Sequence, residues 1–379
     1  MREVYLDNCA TTRTDNSVAQ VALDVMTSAY GNPSSLHGKG LEAQLRLERA
    51  RGKLAGALGC EPGEIYFTSG GTEANNLALL GGFAAHRRKG NSAVGGQAEH
   101  SSVRDALAHL EAQGAQVTLL PPQADGLADP DAYAAAITAD TLLVSCALVN
   151  SEAGGVSDIA RIARAAKAKA KRALIHCDAV QALGKVPLNV RELGVDLLSV
   201  SGHKLHAPKG VGALYVRGGV RILPLLHGGQ QQKGLRPGTE SVPLACALGA
   251  AAEMMTANLS ANTAHFAALR ELFLKKAENF VGVCINSAQL STPYICNVSV
   301  PGYGSETLLH FLAERGVFVS SGSACAKGRD SHVLSAMGLP RERIRSALRV
   351  CFCKDNTTQD IEDFFAALQA AVHHLVRSK

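Results

Sequence analysis

The sequence predicts an α/β protein with a mostly parallel main sheet between two layers of helices, followed by a smaller α+β region. Three features carry this: apolar runs with no polar alternation, helical spacing between those runs, and a different order of elements after about residue 258. A chain of 379 residues fits one large domain plus a smaller one. Helix EAQLRLERARGKLAGAL (42–58) precedes the short strand EIYF, and a second helix starts at TEANNLALLGGFAAHRR (72–88). Strand SAVGG, helix SSVRDALAHLEAQ, strand QVTLLP and helix DPDAYAAAI follow. Then come strand TLLVSCAL, helix DIARIARAAKAKA and strands ALIHCDAV, VDLLSV and GALYV. Apolar strands separated by helices are buried on both faces, as in parallel sheets, and these make seven. An Ala-rich stretch from about Pro243 to Lys276 reads as one long helix bridging into the second region. There YICNVSV, a helix over 305–315, VFVSSGSACA, RIRSALRVCFC and a helix over 358–376 suggest antiparallel strands with helices on one face.

Composition narrows the function classes. Apolar residues make up 46% and charged residues 19%, enough for a large interior. The absence of Trp and an aromatic content of 4% argue against stacking platforms for nucleic acid. KAKAKR (167–172) is the densest basic stretch and reads as a solvated helix end. No apolar run approaches membrane-spanning length, and MREVYLDNCATT lacks a signal core, so the expectation is a cytoplasmic protein with no membrane partner. The ten cysteines are scattered without a CxxC pair, which suits reduced thiols and gives no reason to expect a metal.

In parallel sheets ligands bind beyond the carboxyl ends of the strands. EIYF is followed by Thr68-Ser69-Gly70-Gly71-Thr72, opening a helix: either an ordinary cap or an anion cradle, since glycine backbone and a helix N-terminus both favour negative charge. It matches neither GxGxxG nor GxxxxGK, so dinucleotide and Walker-type sites have little support. His100 follows SAVGG, Asn150 follows TLLVSCAL, and Asp178 with Gln181 ends ALIHCDAV. A carboxylate in so apolar a run needs a partner, expected to be cationic. Lys204 stands in SGHKLHAPKG between two buried strands; a desolvated lysine loses its proton readily and can form an imine with a carbonyl. Pyridoxal phosphate needs such a lysine, an acid for its pyridine nitrogen and a phosphate cradle, and these segments offer one of each.

With YLDNCATT, GNPSSLHGKG, FTSGGTEANN, AEHSSV, LVNSEAGG, HCDAVQ, SGHKLHAPKGVGALYV, HGGQQQKGLRPGTES, SSGSAC and ALRVCF in this order, the chain resembles the cysteine desulfurases, fold-type I pyridoxal-phosphate enzymes related to class-V aminotransferases. The resemblance implies that Lys204 carries the cofactor and that His100 stacks on its ring and moves protons. It implies phosphate contacts from Gly71, Thr72, Ser201 and His203, with Thr239 reaching the neighbouring subunit's phosphate in a homodimer. Asp178 would pair with the pyridine nitrogen, Gln181 and Asn150 would contact the ring oxygen and its surroundings, and Arg349 would hold the carboxylate of L-cysteine. The domains implied are 14–258, and 1–13 together with 259–379.

Cys325, in SSGSACAKGR, reads from residues alone as a surface thiol made more acidic by Lys327 and Arg329; the resemblance makes it the nucleophile that takes up sulfur as a persulfide. The acceptor implied is a protein, an iron–sulfur scaffold or a thiolation enzyme. Cys9, Cys351 and Cys353 depart from the pattern, where small or polar residues are usual. The last two, two apart on a strand, are expected to share a face as a structural pair rather than a sulfur relay. A selenocysteine lyase, another class-V aminotransferase or a non-catalytic subunit of the same fold are the competing readings; SSGSAC favours sulfur transfer because transamination needs no loop thiol.

Overall fold

The computed structural model describes residues 2–288, 291–322 and 330–377. Its main sheet holds the seven expected strands, preceded in the chain by the short β1 (Val4–Tyr5): β2 (Ile65–Thr68), β3 (Ser92–Gly96), β4 (Gln116–Leu120), β5 (Thr141–Ala147), β6 (Leu174–Asp178), β7 (Leu197–Ser201) and β8 (Gly212–Val216). Their order is β2-β8-β7-β6-β5-β3-β4. All neighbours run parallel except at β8, which is antiparallel to both β2 and β7. The central strands β6, β7 and β8 are buried along their whole length, so a continuous apolar run, not alternation, marks them in the sequence.

Register decides where the polar exceptions go. Ala147 pairs with Asp178 and Asp178 with Ser199, so the carboxylate ending β6 stands at the same sheet edge as the ends of β5 and β7. His176, fully buried one turn of the pleat earlier, is satisfied by Ser145 Oγ at 2.9 Å and Ser199 Oγ at 3.0 Å and is therefore structural.

The second region contains β9 (Cys284–Ile285), β10 (Ile295–Ser299), β11 (Val317–Phe318) and β12 (Ala347–Cys351). β10 pairs antiparallel with both β12 and β9, and β1 joins β11 in parallel. The long helix expected over 243–276 is two helices, Val242–Ala257 and Leu259–Glu278, bent by 70° at Asn258. The first is apolar nearly all round because the helices Gly38–Leu58 and Asn16–Ser28 both pack on it. Among the described residues no single helix is long and apolar enough to cross a membrane.

The aromatic residues concentrate in the second region. Phe273, fully buried, lies 6.1 Å from Phe352, 5.7 Å from Phe364 and 5.2 Å from Phe365, ring centre to ring centre. Truncating it removes a ring that three others pack against, and the rigid surroundings would leave a cavity. Phe273→Ala is expected to destabilise the protein by about 3–5 kcal/mol, measured as a lower urea midpoint with far-UV circular dichroism at the start of the titration unchanged.

Candidate active site

The carboxyl ends of β2, β3, β5, β6 and β7 open onto one cleft of about 1040 Å³. Lys204 enters it from the turn after β7, while Cys9 and Ala10 close it from the N-terminal segment and Arg349 from β12. Lys204 Nζ donates to Cys9 O at 2.5 Å and Ala10 O at 2.8 Å. Burial, aided by Arg349 and Lys185 against the opposing effect of Cys9, pulls this amine down to about 8.

Asp178 finds no cation among the described residues, contrary to the expectation of a charged partner. Its Oδ2 accepts from Asn75 Nδ2 at 2.8 Å and its Oδ1 from Val180 N at 2.9 Å. The same Asn75 amide donates to Ser102 Oγ at 2.9 Å, and that hydroxyl meets His100 Nδ1 at 2.8 Å. Ser102 N also donates to His100 Nδ1 at 3.1 Å, so Nδ1 is the acceptor and Nε2 carries the proton. Burial pushes His100 below its usual range, with Asp178 opposing and Lys204 adding to the effect, which keeps the ring neutral.

The turn after β2 approaches the cleft through Gly71 and Thr72. A Cβ on Gly71 would stand 2.7 Å from Val180 Cγ2, so only glycine lets this helix start pack so closely on the strand end carrying Asp178. Ser201 and His203 line the cleft from the far side. His203 Nδ1 meets Thr11 Oγ1 at 3.2 Å, and burial, then Lys204, pulls the ring down to about 4. Asn150 uses its Oδ1 to accept from Glu152 N at 2.9 Å and Ala153 N at 2.8 Å, shaping the loop after β5. Gln181 donates to Cys9 O at 2.9 Å, but its buried Oε1 lacks a partner among the described residues. Arg349 donates to Ser151 O at 2.9 Å and Asp7 Oδ1 at 3.0 Å, while its buried Nε is unpartnered there.

Thus Gly71, Thr72, His100, Asn150, Asp178, Gln181, Ser201, His203, Lys204 and Arg349, spread over 279 positions of chain, line one cleft. Thr239 is exposed and lies outside it. Cys325 lies outside the described residues; the flanking Gly322 lines the cleft, and Ser331 Oγ donates to Glu152 Oε2 at 2.5 Å on its wall.

Residues 4–364 match the aminotransferase class-V family model. The chain belongs to the class-V aminotransferase family. That family is pyridoxal-phosphate-dependent. Within it, "Cysteine desulfurase IscS" of Methanosarcina thermophila is 40% identical over 99% of this chain and 93% of its own. "Cysteine desulfurase 2" of Trichormus variabilis is also 40% identical, over 99% of this chain and 94% of its own. A solved NifS-like protein superposes with a TM-score of 0.94 at 36% identity, covering 99% of this chain and all of that one. Similarity over nearly the whole length places the chain among the cysteine desulfurases of this family.

Asn75, Ser102 and Glu99 were not legible as site residues. Asn75 and Ser102 sit inside helices, where nothing in sequence marks them as the link between His100 and Asp178. Glu99 directly precedes His100 in AEHSSV. Its Oε1 accepts from Ala147 N at 2.7 Å, its Oε2 is buried without a partner among the described residues, and burial, then Asp178, pushes it up to about 8. Cys9, which departs from the family pattern, is buried on the cleft wall against Cys351. Burial opposes its ionisation, but the Cys351 contact and the cations of Lys185, Arg349 and Lys204 prevail and lower it, while Cys351 is raised by burial and then by Cys9.

Glu99 makes stability depend on pH in a definite direction. The folded chain keeps this proton up to about pH 8, whereas the unfolded chain releases it near a free glutamate's pKa of about 4.3. Protonation therefore favours folding at low pH, and that advantage is lost as the pH rises toward 8. Glu99→Gln, a neutral isostere, is expected to gain in Tm relative to the parent between pH 5 and pH 8; parallel Tm profiles would show that Glu99 is ionised throughout.

Proposed function

We propose that this chain is a pyridoxal-phosphate-dependent cysteine desulfurase that converts L-cysteine to L-alanine and passes the sulfur, through a persulfide on Cys325, to an acceptor protein. The observation that carries the reading is one cleft holding a desolvated amine, Lys204, and a buried carboxylate, Asp178, that among the described residues is held by neutral donors alone. The cleft fits the cofactor on its own terms. Asp178 has negative charge to offer a protonated ring nitrogen, Gln181 Oε1 needs a partner, and the Gly71–Thr72 turn presents backbone N–H groups with no Cβ at Gly71.

Pyridoxal phosphate, when bound, supplies an electron sink joined to the substrate's α-carbon. Lys204 would hold it covalently through Nζ, and the same nitrogen, titrating near neutrality, suits removal and return of the α-proton. Asp178 would fix the proton on the ring nitrogen, its carboxylate oriented by Asn75 and Val180. Neutral His100 would lie on the ring and present Nε2–H. Gly71, Thr72, Ser201 and His203 would take the phosphate, and Asn150 and Gln181 the ring's oxygen edge. Arg349 would pair with the substrate carboxylate; its fork is already aimed by Asp7 and the Ser151 carbonyl. Cys325 thiolate would then attack the substrate sulfur. An S–S bond forms as the substrate Cβ–S bond breaks, the electron pair passes to the carbon side, and protonation gives alanine.

Thr239 would contact the phosphate of a second subunit. Its exposure, and that of Leu23, Met26, Leu41 and Leu45 on neighbouring helices, supports a homodimer. A division into 14–258 and 1–13 with 259–379 belongs to the same reading, supported by the pairing of β1 with β11. The proposed setting is the cytoplasm, with an iron–sulfur scaffold or a thiolation enzyme as acceptor.

Cys325→Ala is expected to keep full cofactor content and lose persulfide, alanine and sulfide production together; unchanged alanine release, or keto acid in its place, would overturn the sulfur-transfer reading. Lys204→Ala is expected to abolish borohydride trapping of pyridoxal phosphate on the protein, followed by intact mass. Arg349→Lys, which keeps charge but loses the fork, should raise KM for cysteine about tenfold or more with cofactor content unchanged.

A further inference from the structure

Strand β12 ends at Cys351, whose thiol meets Cys9, and Cys353 stands two residues further on, with Tyr5 and Lys185 near both thiols. A ring nitrogen of His206, the Cys353 sulfur and a carboxylate oxygen of Asp355 all lie within 4.8 Å of one another. The two segments are about 150 positions apart in the chain, and none of the three residues lines the cleft.

We propose that His206, Cys353 and Asp355 form a binding site for one zinc-class divalent cation, separate from the active site. The chemistry of each donor supports this. His206 is buried, and its Nδ1 faces the Arg13 carbonyl at 2.9 Å. A carbonyl cannot donate, so Nδ1 carries the proton and the lone pair lies on Nε2, which has no hydrogen-bond partner among the described residues. A histidine whose tautomer is fixed by a backbone carbonyl on one nitrogen and whose other nitrogen is bare is in the metal-ligating form. Cys353 is half-buried at the head of the turn that carries Asp355, its carbonyl accepting from Asn356 N at 3.2 Å. Asp355 gives one oxygen to Lys354 Nζ at 2.9 Å and retains a second; Lys354 is itself neutralised further by Asp15 Oδ2 at 2.8 Å.

One nitrogen, one thiolate and one carboxylate oxygen are the donors that Zn²⁺ accepts, with water completing a tetrahedron, whereas an all-oxygen set would suit Mg²⁺ or Ca²⁺. Burial falls from His206 through half-buried Cys353 to exposed Asp355, which leaves a route in from solvent and an open fourth position. On binding, the Cys353 thiol gives its proton to solvent and no oxidation state changes. The ion would tie the turn after β12 to the loop two residues beyond Lys204, a link between the two regions that bypasses the cleft.

The test uses full-length protein stripped with a chelator and titrated with Co²⁺, then with Zn²⁺, alone. The expected result is one tight equivalent giving a thiolate-to-cobalt charge-transfer band and intense visible bands of four-coordinate cobalt, displaced by zinc, with a higher Tm in zinc. Cys353→Ser should lose the charge-transfer band and the zinc-dependent Tm rise, and both Cys353→Ser and Asp355→Asn should bind Zn²⁺ about 100-fold more weakly or worse. Both changes lie at or near the surface, so folding without metal should be retained. A charge-transfer band that survives Cys353→Ser, or binding unchanged in both variants, would overturn the proposal. The readouts involve neither Lys204 nor Cys325, so a protein without desulfurase activity would still give them.

Discussion

The amine of Lys204 lies out of water against two backbone carbonyls, and the cleft depends on what that costs. An ammonium there loses most of its hydration, and the carbonyls of Cys9 and Ala10 replace only part of it, so the group sits near the point where it sheds its proton at neutral pH. Holding it requires the N-terminal segment to cross the mouth of the sheet. Thr12 secures that crossing by donating from its backbone N–H to the His203 carbonyl at 2.8 Å and from its hydroxyl at 3.0 Å. The segment that stabilises the amine is therefore pinned to the turn that carries it.

The same economy governs Asp178. A buried carboxylate paired with arginine would be committed, and its charge would be unavailable to a ligand. Here an amide and a backbone N–H orient the group, and among the described residues no cation pairs with it. The cost is passed to the neighbours: Glu99 keeps its proton to about pH 8, partly because a second ionised carboxyl beside Asp178 would be repelled. His100, Ser102, Asn75 and Asp178 then form one hydrogen-bonded chain from helix to strand end, so the ring of His100 and the carboxylate cannot move independently.

Cysteine usage divides along similar lines. Cys146, Cys177 and Cys296 are buried in strands, where desolvation keeps their thiols protonated and inert. Cys9 stands among Lys185, Lys204 and Arg349, which draw it the other way. Cys353 faces a histidine and a carboxylate. Thiols of one composition class thus take three different characters according to the charges packed around them.

The number and positions of the sheet strands along the chain were legible because burial on both faces writes itself as unbroken apolar runs, and Lys204 and Asp178 stood out because a charge inside such a run has no structural excuse. The glycines before Thr72 were legible as a close approach, though Val180 as the neighbour was not. Strand order, the reversed direction of β8 and the bend at Asn258 were not legible, since hydrogen-bond pairing between distant strands and helix–helix packing leave no local pattern. Nor were the neutral partners of Asp178, the burial of Glu99, or the meeting of His206 with Cys353: each depends on segments far apart in the chain. By itself the sequence determined which residues are buried and which charges had to be explained, because both follow from local polarity. Only the tertiary structure decided which of them meet, because proximity across a sheet edge is set by register and packing and not by spacing along the chain.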